Sequence, residues 1–279
     1  MNNIASGDLR KVQLMELDIL TEVDRVCRKL DLRYYVIAGT LLGAVRHKGF
    51  IPWDSDIDIA MFRDEYEMLI TQGNDLINDR FFIQSDHSDV FHKSTLAKVR
   101  ANGTLYIEKG NKIKGSNNGF YIDVFPLDDI RTEPGRIDYL NAKFIRLLQR
   151  VKAFRKGKYC STTLTRTIAA FFLSFPTLPI PITVINKFIR ARMTKDNGKG
   201  YPYVTNYCSK YGIIRQFMPK DIYGTPVEIE FEGKRFPAPE KYLVWLEKIY
   251  GENYMRVPEK HPITNRISDA YIYDLGPYK

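Results

Sequence analysis

Between Asp56 and Met61 the chain reads Asp-Ile-Asp-Ile-Ala-Met, an alternation of period two that fits a strand with one buried face. Ile57 and Ile59 turn toward the core, so Asp56 and Asp58 project together on the other side. Two carboxylates about 7 Å apart repel by roughly 2 kcal/mol at an effective dielectric of about 20. A divalent cation reverses that sign, and hard oxygen ligands suit Mg2+ or Mn2+. A lone pair of this kind more often holds no metal, and its weight here comes from the strand–Gly-Thr–helix turn before it and a strand aspartate after it.

The flanking segments narrow the fold further. Val12, Met15, Ile19, Val23, Cys27 and Leu30 recur at helical spacing over residues 9–30. Residues 33–38 are rich in aromatic and β-branched types and predict a strand ending at Gly39, and 40–45 predict a short helix opening after that glycine. Gly39 permits close backbone approach, and the N-terminus of the helix at Thr40 offers N–H groups to a phosphate. The same pattern also describes an ordinary strand–helix turn. Arg46, His47 and Lys48 follow as a basic cluster suited to a polyanion.

Helical spacing returns at Tyr66, Leu69 and Ile70, and short strands are predicted at 81–84, 96–100 and 104–107. In 120–125 Phe120, Ile122 and Val124 form an apolar face, and Pro126 is expected to stop the strand. Asp123 interrupts the opposite face between Tyr121 and Phe125; either that face meets solvent or the aspartate serves beside the metal pair. Lys98 and Arg100 share one strand face and can balance the same anionic charge. Helices are expected at 136–156 and 239–250, the latter closed by Gly251.

This order of elements describes an α+β fold, a mixed sheet with flanking helices and a helical C-terminal elaboration. A single domain over 1–279 is expected, with residues 10–130 as catalytic core, 136–200 as a basic and apolar helical insertion, and 201–279 completing the site. Hydrophobic residues at 44% and charged residues at 27% exclude a disordered or fibrous chain.

The net charge of +9 is uneven. From Arg146 to Lys195 there are eleven Lys or Arg and no Asp or Glu, which leaves the remaining chain at −2. Within that block, 167–186 carries no charge, but Pro176, Pro179 and Pro181 break it. A broken apolar segment in a basic frame fits contact with an anionic membrane surface, a buried helical hairpin, or a re-entrant segment. Cys27, Cys160 and Cys208 are odd in number and widely spaced, which reads as reduced thiols, and the first eleven residues lack an apolar signal core. A cytoplasmic protein peripherally associated with the inner membrane face is expected.

The run from Gly39 through Arg46, His47 and Trp53-Asp54-Ser55-Asp56-Ile57-Asp58-Ile59 closely resembles the signature of the LicD family, phosphotransferases of the nucleotidyltransferase superfamily. Ile122-Asp123-Val124-Phe125-Pro126-Leu127-Asp128 is similar to the family's second motif, Lys98-Val99-Arg100 to a short basic motif, and Tyr250-Gly251-Glu252-Asn253-Tyr254-Met255 with Pro258, near His261, to its closing motif. Ser55 stands where the family usually has the middle of three consecutive aspartates.

The resemblance implies a nucleotidyltransferase-like mixed sheet and transfer of phosphocholine, or a similar substituted phosphate, from a CDP-linked donor such as CDP-choline to a hydroxyl of a lipid-linked glycan or teichoic acid precursor, with CMP leaving. Asp56, Asp58 and Asp123 are then the catalytic and metal-binding set for Mg2+ or Mn2+. Gly39, Thr40, Arg46, His47, Trp53, Lys98, Arg100 and Tyr121 become candidate substrate contacts. Trp53, Tyr121 and Phe125 are candidates for an aromatic cage around a quaternary ammonium.

A glycosyltransferase using a sugar nucleotide also employs a DxD and a divalent metal, but normally lacks the Gly-Thr turn before it. A HAD-type phosphatase needs Thr or Val after its second Asp, which Ile59-Ala60 does not supply. The basic block has few interleaved polar readers and much aliphatic surface, which argues against a nucleic-acid partner.

Overall fold

The computed structural model describes residues 6–108, 115–155, 177–259 and 270–279. Helix α1 (Ser6–Lys29) packs its Val12, Met15, Ile19 and Val23 stripe, fully buried, against one face of a central sheet. The sheet is built from β1 (Tyr35–Val36), β2 (Asp58–Phe62), β3 (Phe81–Gln84), β4 (Ala97–Ala101) and β6 (Tyr121–Ile130), in the order β1-β2-β6-β4-β3. β2 and β6 run parallel; the other pairs are antiparallel. Helix α2 (Ala38–His47) joins β1 to β2, and α3 (Arg63–Gln72) follows β2 directly. The fold is a mixed α+β one, as the element order implies.

Pro126 does not stop β6, which continues to Ile130. The Asp123 N–H points to β2, donating to the Ile57 carbonyl at 3.0 Å, so by alternation residue 126 faces the other edge. There β4 has ended opposite Val124, and β7 (Tyr203–Thr205) begins only opposite Asp128. The missing N–H of Pro126 falls in the gap between two partners and costs no ladder bond.

The second half holds more strand than its sequence predicts. β5 (Leu105–Glu108) pairs with β11 (Ala270–Asp274), and β7 carries the two-residue β8 (Met218–Pro219) on its outer edge. β9 (Val227–Phe231) and β10 (Lys234–Ala238) form a hairpin closed by Glu232 and Gly233 at φ 53 and 72. Positive φ at both central residues matches the right-handed twist of a two-residue hairpin.

Helices α4 (Arg136–Arg155) and α5 (Ile182–Met193) pack together around a second apolar cluster that includes Ile145, Val151, Ile185, Ile189 and Tyr207. Short α6 (Gly212–Gln216), α7 (Lys220–Tyr223) and α8 (Tyr242–Tyr250) complete the chain, and Gly251 caps α8 as predicted.

Several described cations of the basic block bind groups of this chain. Lys152 is fully buried, 2.5 Å from Asp86, and also donates to the Ser94 carbonyl. Arg155 donates to the carbonyls of Thr177 and Ile180, Arg190 pairs with Glu67, and Lys195 with Asp138 at 3.0 Å. Residues 167–176 of the uncharged segment, together with Cys160, fall outside the described residues. Among the described residues, no helix is long and apolar enough to cross a membrane.

Candidate active site

Phe120, just before β6, and Ile122 and Val124 on it are completely buried, so Tyr121, Asp123 and Phe125 stand on the opposite face. The same alternation on β4 buries Ala97, Val99 and Ala101 and raises Lys98 and Arg100. Register then sets a row across four strands: Asp58 opposite Asp123, Asp123 opposite Lys98, and Lys98 opposite Gln84. Neighbouring strands lie about 4.8 Å apart. Residues more than sixty positions apart in sequence thus become adjacent.

Asp56 lies before β2 rather than on it and is exposed, whereas Asp58 opens the strand and is half-buried. The period-two reading placed both on the strand. Local hydrogen bonds explain the difference, since Asp54 Oδ1 accepts from the N–H groups of Ser55 at 2.9 Å and Asp56 at 3.3 Å, holding a turn where the ladder would otherwise extend.

Thr40 fixes the same junction. Its buried hydroxyl accepts from the Asp58 N–H at 2.9 Å and lies 3.4 Å from the Asp56 carbonyl oxygen. α2 begins at Ala38, ahead of the glycine, because Ala38 takes φ 51 and turns the chain out of β1. That conformation is uncommon for a residue with a Cβ. Gly39 has a steric role beside it: a Cβ there would lie 2.8 Å from Asp54 Oδ2. Asp54, absent from the predicted site set, therefore organises the loop around both Gly39 and Asp56. Its place in the acidic run was the available signal.

Arg46, His47 and Trp53 gather at the C-terminal end of α2. Arg46 donates to the carbonyl of Tyr254 at 3.1 Å and from Nε to His47 Nε2 at 2.9 Å, and the His47 and Trp53 rings meet edge to face with centroids 6.4 Å apart. Desolvation and the Arg46 charge push the His47 pKa down. Arg46 thus anchors the closing segment to α2 through backbone oxygens.

Lys98 Nζ lies 2.7 Å from Asp123 Oδ1 and 3.3 Å from the centre of the Tyr121 ring, and the Arg100 guanidinium stands 4.7 Å from that ring. Arg100 is buried, donating to Gln84 Oε1 and to the Gly119 carbonyl, both at 2.5 Å. Tyr121 already engages two cations of its own chain.

The C-terminal half brings in two tyrosines that the predicted set lacks. Tyr250, at the end of α8, has its hydroxyl pKa raised by burial first, then by Tyr211 and by the charge of Asp58. Tyr211 meets Tyr250 edge to face at 6.5 Å, with Arg215 4.9 Å over its ring. Tyr250 opens the closing motif, which was its signal; Tyr211 had none. His261 falls outside the described residues.

Among the described residues, no three His, Cys, Asp or Glu side chains converge tightly enough to enclose a metal ion. The donor chemistry nevertheless suits a hard divalent cation: Asp58 and Asp123 occupy facing positions on adjacent strands, and exposed Asp56 lies two residues before Asp58.

A carboxylate pair on parallel strands, preceded by a strand–helix turn that orients it, fits the class to which sequence comparison also leads. Residues 31–138 match the family model described as LicD/FKTN/FKRP, nucleotidyltransferase domain. Beyond this domain, the chain is 27% identical over 277 residues to the lipopolysaccharide cholinephosphotransferase LicD of Haemophilus influenzae, covering 95% of this chain and 98% of the relative. A 55-residue stretch is also 36% identical to an uncharacterized protein of Rickettsia prowazekii, 20% of this chain and 21% of that one.

Proposed function

We propose that this protein is a cholinephosphotransferase: it transfers phosphocholine from CDP-choline to a hydroxyl of a lipopolysaccharide or related cell-surface glycan precursor and releases CMP. The observation that carries the reading is the in-register placement of Asp58 and Asp123 beside Lys98, in a chain similar to LicD along nearly its whole length. The nucleotidyltransferase-like core spans 10–130, residues 136–200 form an insertion, and 201–279 complete the site through Tyr211, Tyr250 and the segment held by Arg46.

Asp56, Asp58 and Asp123 would hold Mg2+ or Mn2+, which would neutralise charge on the donor's diphosphate and on the leaving oxygen. Thr40 and Asp54 hold the two aspartate backbones in position, and Gly39 leaves room for the Asp54 carboxylate. Lys98 presents a cation at the edge of the phosphate site. Arg46, bonded to His47 beside Trp53, ties the closing segment to α2.

The enzyme works at the inner membrane face, where its acceptor is carried by lipid. Exposed Ile137, Leu140, Phe144, Val184 and Phe188 on α4 and α5, with Lys143 and Lys187 among them, form the surface that rests on anionic headgroups. Sedimentation with anionic liposomes that weakens with salt is the expected result for that surface.

The reaction is tested by CMP release from CDP-choline, CDP-ethanolamine, CDP-glycerol and CDP-ribitol, with Mg2+ and with EDTA. Metal-dependent cleavage of CDP-choline above the others supports the proposal. Silence on all four, with turnover of a UDP- or GDP-sugar, would replace it with a glycosyltransferase.

A further inference from the structure

One strand beyond the carboxylates, the same sheet face opens into a cavity of about 570 Å3. Gln84, Lys98, Arg100 and Tyr121 form its sheet side, and α4 with residues 207–210 forms the facing wall. Lys93, Lys98, Arg100, Arg146, Arg150 and Lys210 all line it, and among the described residues no Asp or Glu does.

Three of these cations, Arg146, Arg150 and Lys210, stand together on the wall across from the sheet. Two unit charges about 10 Å apart repel by roughly 1.7 kcal/mol at an effective dielectric of about 20. Asp123 offsets Lys98, from beside the cavity, and the Ser209 carbonyl accepts from Arg146 at 3.2 Å. A neutral carbonyl does not cancel a full charge. His92, buried in the wall, is held neutral by desolvation first and then by the charge of Lys152 behind it, with smaller contributions from Lys98 and Arg100. Gln84, Ser116, Asn118 and Gln149 add neutral donors and acceptors of the kind that bind sugar hydroxyls.

We propose that this cavity holds the acceptor, and that the acceptor is an anionic saccharide whose phosphate sits among Arg146, Arg150 and Lys210, set back from the reacting hydroxyl. The inference rests on the donor reading above. If the donor's diphosphate occupies the aspartate row, the attacking hydroxyl must reach within about 3–3.5 Å of phosphorus. A ligand one or two strands away lies about 5–10 Å from the carboxylates, the reach of one or two sugar rings. The planar fork of arginine matches phosphate oxygens, and both Arg146 and Arg150 come from α4, outside the residues matched as the transferase domain.

The test combines Arg150→Gln and Lys210→Gln in the full chain, both sites being exposed. Glucose 6-phosphate is titrated calorimetrically at low salt, with glucose as the uncharged control and the melting temperature as a check on folding. Saturable binding of glucose 6-phosphate, weakened at least about tenfold in the double variant, is the expected result, because each charge-assisted hydrogen bond contributes about 1.5–3 kcal/mol. Equal binding by both proteins, or none by the wild type, overturns the inference. A tenfold rise in KM for CDP-choline in acceptor-free cleavage would assign the cavity to the donor and overturn it also. Sugar-phosphate binding lost on mutation, in a protein that cleaves no CDP-linked donor, would uphold the anionic saccharide site while refuting the proposed reaction.

Discussion

Replacing Thr40 with valine exchanges a hydroxyl for a methyl on a side chain only 2% exposed. Its oxygen accepts from the Asp58 N–H at 2.9 Å. Valine leaves that donor without its acceptor at the point where β2 begins, and an orphaned buried donor costs about 1–3 kcal/mol. At about 2–4 °C per kcal/mol for a chain near this size, the melting temperature should fall by roughly 2–12 °C. The effect on rate should exceed what stability alone gives, because the residue whose N–H is released also carries a carboxylate of the proposed catalytic set. A displacement on the order of 1 Å costs up to about 10²-fold. CMP release from CDP-choline, measured well below the melting temperature, compares wild type, Thr40→Val and Thr40→Ser. Serine keeps the oxygen and should stay within a few-fold of wild type, while valine should fall about 10- to 100-fold. A valine variant that loses stability but releases CMP at the wild-type rate would refute the claim that Thr40 positions Asp58.

Other expectations concern what holds the site's scaffold. Arg63 forms a two-pronged pair with Asp128 at 2.8 and 2.7 Å, the carboxylate being fully buried. Arg63→Met should therefore cost about 3–5 kcal/mol in denaturant unfolding, and adding Asp128→Leu should restore most of it. His92 has a folded pKa well below its ordinary 6.5, so the unfolded chain binds its proton first as pH falls. Its stabilising contribution is complete above about pH 6.5 and is lost on acidification below it. The slope of stability against pH between about 6.5 and 5 should flatten in His92→Gln; an unchanged slope would show that other groups set it.

The core of this architecture was legible because it rests on period-two and helical alternation. Ile57/Ile59, Phe120/Ile122/Val124 and the α1 stripe all bury as their spacing requires. Local competition was less visible. Asp56 leaves the strand because the Asp54 side chain captures two backbone N–H groups, and Pro126 stays in its strand because its partner changes at that residue. Periodicity contains neither fact. The β9–β10 hairpin had a signal in Glu232-Gly233 between alternating apolar residues, whereas β7, three residues long, had little. For the site, the motif residues Asp58, Asp123 and Lys98 do meet in one row. Tyr211, Arg146 and Lys210 could not be assigned, because only the packing of α4 and the 207–213 segment beside the sheet brings them near it.

The most direct test of the account compares CMP release from CDP-choline by the wild type and by Asp58→Asn, which keeps the side-chain shape while removing the charge. With Mg2+ present and melting temperatures matched, turnover should fall at least about 10²–10³-fold, the scale of losing a transition-state electrostatic contact. An Asp58→Asn protein that cleaves the donor at near wild-type rate would mean that the carboxylate row is not where the chemistry occurs.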